Sequence, residues 1–132
     1  LQYTFMLQSF GLLRSDTLKE FVYRRPSWFA MRNVYALLDD DTPPTGVKTE
    51  GRLTCAEFVR NGRPLRFYWF SDRIPGSELR FERVDLGTDV KDPVLVEMIT
   101  GRVFELPSTT SAPVWDSPVL VAERAAIPLS ML

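Results

Sequence analysis

The hydrophobic pattern divides the chain into two parts. Over Pro26 to Leu38 apolar residues fall at helical spacings on more than one face: Phe29, Ala36 and Leu37, with Met31, Val34 and Leu38, and Asn33 among them. Pro26 suits a first helical turn, and three aspartates, Asp39 to Asp41, followed by "TPPTG" end the pattern, so a helix is predicted over Pro26–Leu38. Upstream, Tyr3 to Met6 and Phe10 to Leu13 read as short apolar stretches, followed by the polar "RSDTLKE".

From Arg52 onward the period changes to two. Strands are predicted near Leu53–Val59, Leu65–Phe70, Leu79–Leu86, Val94–Ile99, Arg102–Leu106 and Pro118–Glu123, with another near Ile127. "NGRP" after Val59 and "IPGS" after Arg73 supply turn chemistry, and Thr100-Gly101 reads as a tight hairpin. The apolar phase slips between Phe81 and Val84, which predicts a bulge near Glu82 and Arg83. The expected fold is mainly β: a small antiparallel β-sandwich over residues 42–132 behind one N-terminal α-helix within residues 1–41.

The run Phe67, Tyr68, Trp69, Phe70 is the most unusual feature of the strand pattern. Alternation sends Phe67 and Trp69 to one face and Tyr68 and Phe70 to the other, so both faces of this strand need cover. Core packing explains such rings most simply. The alternative is a carbohydrate platform built from Trp69, Tyr68 and Trp115, because sugars stack their C–H faces on aromatic rings.

Composition narrows the chemistry. With 132 residues, 45% hydrophobic content, 25% charged residues and a formal net charge of -1, the chain matches an ordinary globular domain and not a basic nucleic-acid binder. There is no histidine, which removes Ser-His and Cys-His nucleophiles and the usual zinc ligand. Cys55 is the single cysteine and reads as a small core residue. Asp39 to Asp41 lack the spacing of a calcium loop, and no glycine-rich phosphate loop is present. Arg24, Arg25 and Arg32 gather around Trp28, where acids at Asp16 and Glu20 make a salt-bridged helix entrance the simplest reading. Glu97 and Glu105 flank the predicted hairpin, and no spacing among the acids singles out a catalytic pair. No catalytic residue, metal or cofactor is therefore assigned. The opening residues read as neither signal peptide nor membrane anchor, and the apolar segment from Leu1 to Leu13 is expected to need a partner layer.

The segment "GLLRSDTLKEFVYRRPSWFAMRNVYALLDDD" resembles the last β/α element of a clan-A-like (β/α)8 glycoside hydrolase, family 39-like or of a related uncharacterised family. Gly11, Leu12 and Leu13, then Arg25, Pro26, Ser27, Trp28, Phe29 and Ala30, carry the likeness. "LRFYWFSDRIP", "DPVLVEMITGRVFEL" and "DSPVLVAERA" resemble the small β-sandwich that follows the barrel in such enzymes. The resemblance implies an accessory, non-catalytic role. The two catalytic carboxylates of that clan stand at the ends of the fourth and seventh barrel strands, which would precede Leu1. The implied partner is the barrel of the parent protein, with self-association through the apolar N-terminus as the alternative. Carbohydrate is a further possible ligand, whereas nucleic acid and membrane are not expected partners.

Overall fold

The computed structural model describes residues 13–15, 21–72 and 80–132. The predicted segment before Leu13, the start of the predicted strand at Leu79 and the "IPGS" turn lie outside the described residues. A short antiparallel ladder of β1 (Leu13–Ser15) and β2 (Phe21–Arg24) leads into α1 (Pro26–Leu37). Arg25 is extended because the residue before a proline is pushed out of the helical region, and Pro26 opens the helix without losing a needed donor.

Six strands form one antiparallel sheet in the order β3-β4-β5-β10-β7-β8. These are β3 (Pro44–Glu50), β4 (Leu53–Arg60), β5 (Arg63–Phe70), β7 (Pro93–Glu97), β8 (Val103–Glu105) and β10 (Val119–Glu123). A two-stranded ribbon, β6 (Phe81–Val84) with β9 (Ala112–Trp115), lies over one face of this sheet. The other face is covered by α1 and the C-terminal turns. The molecule is a small, mainly β, sandwich-like fold with one helix among the described residues.

This layering accounts for the aromatic run. On the helix side Phe67 packs with Leu65, Val94, Val96 and Leu120 under Leu37, with half-buried Trp69 beside them. On the ribbon side Tyr68 and Phe70 pack with Leu95, Val119 and Val121 under Ala112 and Val114. Strand β5 is thus apolar on both faces because two different layers cover it.

Local chemistry fixes the joints. Asn61 (φ 51°) and Gly62 (φ 74°) form the two-residue turn between β4 and β5 that the Asn-Gly pair predicts. Asn33, 2% exposed, donates from Nδ2 to the carbonyls of Met98 (2.8 Å) and Ile99 (3.3 Å), so α1 is fastened to the β7–β8 connection. The ribbon is fastened by Arg80, which donates from its backbone N–H (3.2 Å) and its guanidinium (2.9 and 3.1 Å) to the fully buried Asp116 carboxylate. That guanidinium also pairs with Asp72 and lies 4.4 Å from the Phe70 ring centroid.

Several expectations need correction. No strand is predicted before Leu53, yet Pro44–Glu50 is strand β3; every residue in it is exposed, so it carries no hydrophobic alternation. Strand β9 was not anticipated, because Pro113 and its four-residue length hide the buried Ala112 and Val114. The region near Ile127 is a 3-10 turn, Arg124–Ala126, with Ile127 buried beside it. No bulge occurs at Glu82 and Arg83: β6 pairs with β9 in continuous register, and the apparent slip arises because Phe81 faces outward against Trp115, its cross-strand partner. The Thr100-Gly101 hairpin is a wider loop. Glu97 caps it by accepting from the backbone N–H groups of Ile99 (2.8 Å) and Thr100 (2.9 Å) and from the Thr100 hydroxyl (2.6 Å).

Candidate functional site

The β6–β9 ribbon has two strands and the sheet beneath it has six, so the ribbon leaves part of the sheet uncovered on either side. Two grooves result. The first, about 490 Å³, lies over β3, β4 and β5 and is closed on one side by Asp85 and Leu86. The second, about 350 Å³, lies over β7 and β8 beside β9.

Cross-strand register builds the first groove. Glu50 stands beside Leu53 and Phe70, Lys48 beside Cys55 and Tyr68, and Gly46 beside Glu57 and Arg66. Each row runs across the same face, so its side chains project together. Glu57 accepts from Arg66 Nε (2.6 Å) through one oxygen and from the Thr45 hydroxyl (2.9 Å) through the other. Arg66 meets Asp89 on its other side at 2.7 Å. Burial alone would lower the Arg66 pKa, but its bonds to Glu57 and Asp89 outweigh burial and raise it, and the same guanidinium, with Thr45, holds Glu57 below the usual carboxylate range. Burial pushes the Cys55 thiol and the Tyr68 phenol up, so both are neutral at pH 7. Lys48 and Glu50 pair at the exposed rim at 2.5 Å.

The second groove is almost wholly apolar. Leu95, Phe104, Leu106, Pro113 and Trp115 line it, with Glu97 and Glu105 at its edge. Phe104 is 47% exposed, and both Glu97 oxygens are occupied by the loop they cap.

The three aromatic candidates do not form one platform. Tyr68 is buried on the ribbon side, Trp69 is half-buried on the helix side, and Trp115 belongs to the second groove. Glu97 and Glu105 also stand apart: Glu97 pairs across with Val119 on the ribbon side, whereas Glu105 sits opposite Val94 on the helix side and bonds Arg124 at 3.3 Å. Asp39 takes its bonds from Thr42 (2.7 Å) and the Asp41 N–H (3.1 Å), which makes a turn after α1. Among the described residues no group of three or more His, Cys, Asp or Glu side chains could hold a metal ion. Arg24 and Arg32 lie over the Trp28 ring at 4.5 and 5.6 Å, a stacked cluster at the helix entrance.

Sequence reasoning did not find the first groove, because its residues come from four separate segments. One signal was present: Arg66 stands second in the otherwise apolar "LRFYWF", where a charge needs a partner. No family model, no curated protein and no solved structure matches this chain. No helix among the described residues is long and apolar enough to cross a membrane.

Proposed function

We propose that this chain is a non-catalytic accessory domain of a glycoside hydrolase, held against a catalytic barrel by the outer side of α1. The observation that carries this reading is the composition of that helix. "PSWFAMRNVYAL" holds a single charged residue, Arg32, although only one side of α1 meets the sheet. Its other side presents Met31 (40% exposed) and Tyr35 (71% exposed), with Trp28 at the same helical spacing. A surface helix carries polar residues outward, and one apolar all round is covered on both sides. The likeness of the segment 11–41 to the final barrel element supplies the identity of the second cover.

The test uses the parent reading frame. Met31→Glu with Tyr35→Glu is expected to leave the melting temperature of this chain alone nearly unchanged. In the parent polypeptide the same pair should loosen the domain, opening residues 38–44 to protease and hastening thermal inactivation of aryl-glycoside hydrolysis. A parent frame without a barrel, or turnover of aryl glycosides by this chain alone, would overturn the reading.

A further inference from the structure

We propose that the groove over β3, β4 and β5 binds a neutral saccharide of one or two rings. This does not depend on the presence of a barrel, since it concerns only side chains that the sheet itself brings together.

The argument begins with the division of the groove's surface. Its floor is apolar, made by Leu53, Cys55, Tyr68 and Leu86. Its walls are planar hydrogen-bonding groups: Glu57 and Arg66 at one end, Glu50 at the other, and Asp85 on the side closed by the ribbon's exit. A pyranose has the matching division, with apolar C–H faces and hydroxyls around its edge. The volume, about 490 Å³, suits a small ligand.

Charge narrows the class further. Both cations are already ion-paired, Lys48 with Glu50 and Arg66 with Glu57 and Asp89, so a phosphate or carboxylate ligand would have to displace a carboxylate. A hydroxyl needs no displacement. It accepts from N–H donors beyond the two that Arg66 gives to these carboxylates, and it donates to carboxylate lone pairs. The pairing also fixes the geometry, because Glu57 is held from two sides and the Arg66 side chain is only 19% exposed. Groups locked before the ligand arrives lose little freedom on binding. The second groove has only Glu97, which caps its own loop, and Glu105, which bonds Arg124, as polar groups, which is why the assignment falls on this one and not on the Trp115 side.

Gly46 gives a clean block. It lines the groove, its Cβ position has no neighbour within 4 Å, and its φ is not positive, so a larger side chain fits there without strain and fills the space. The experiment is an amide NMR titration of the 132-residue chain with methyl glycosides of glucose, galactose, mannose and xylose and with cellobiose and lactose, glucuronate serving as the charged comparison. Expected are saturable shifts at Gly46, Lys48, Cys55, Asp85 and Leu86 with at least one neutral sugar. They should be lost in Gly46→Trp and weakened about tenfold in Glu57→Gln, with both variants keeping the wild-type spectrum elsewhere. No saturable shift with any neutral probe, shifts centred on Phe104 and Trp115, or shifts that survive Gly46→Trp would overturn the proposal, as would tighter binding of glucuronate than of every neutral sugar.

Discussion

At the scale of single residues, the joint between α1 and the β7–β8 loop is the tightest fit described. Gly101 has φ 76°, and a Cβ added there would lie 2.7 Å from Asn33 Oδ1. Gly101→Ala therefore meets two obstacles, a left-handed backbone and a buried amide that cannot retreat. A loss of about 1–3 kcal/mol is expected by urea unfolding. Asn33→Ala removes the donor serving the Met98 and Ile99 carbonyls and is expected to cost about 1–3 kcal/mol as well. The Gly101→Ala clash exists only while the Asn33 side chain is present, so the double variant should be less destabilised than the sum. Strict additivity would show that the clash with Asn33 does not set the Gly101→Ala cost. Asn33 stood within an apolar pattern in the sequence, and only its carbonyl partners, 65 and 66 residues away, explain why an amide belongs there.

At the scale of elements, legibility followed burial. Helix α1 and strands β4, β5, β7 and β10 bury one or both faces, and their apolar spacing located them to within a residue or two. Strand β3 buries nothing and is held through its pairing with β4, a non-local contact that leaves no mark on its own composition. Strand β9 was hidden by Pro113, which a ribbon edge tolerates although a central strand would not. The candidate groove was illegible for the same reason as β3, since it exists only where three strands align. Strand alternation puts the adjacent Tyr68 and Trp69 on opposite faces of β5, so the two rings do not share a platform. It also orders the cost of removing the rings. Phe67→Ala deletes a ring that is 7% exposed between α1 and the sheet, packed edge-on to Phe58 at 5.7 Å, and should cost about 3–5 kcal/mol. Trp69→Ala, half-buried on the same side, should cost less. Equal denaturation midpoints for wild type and Phe67→Ala would contradict the two-layer account of β5.

At the scale of the whole molecule, the absence of histidine shapes the pH profile. No side chain of this sequence has an ordinary pKa between about 5 and 8, so stability should be flat across that window. Below it, the sign follows from carboxylates whose folded pKa is depressed. Glu57 is held down by its bonds to Arg66 and Thr45, and Asp72 by its bond to Arg80. Such groups stabilise the fold above their unfolded pKa, about 4, and that contribution disappears as the pH falls through their lower folded values. Above the window the sign reverses. Tyr68 is raised by burial, so the unfolded chain releases its phenolic proton first, at about pH 10, and stability falls from there as the pH rises toward the folded value. Cys55, raised by the same burial, adds to this alkaline loss from about pH 8.5. Thermal melts followed by circular dichroism should thus trace a plateau with an acid limb and an alkaline limb. Tyr68→Phe separates the causes: it removes a titrating group from the ribbon side while keeping the ring that packs under Val114. The variant should decline less steeply than wild type above pH 10, while the ring it keeps holds the plateau near the wild-type level. An alkaline limb of unchanged slope would mean that burial of Tyr68 does not govern it, and a step inside the plateau would place a strongly shifted carboxyl or amine in the fold.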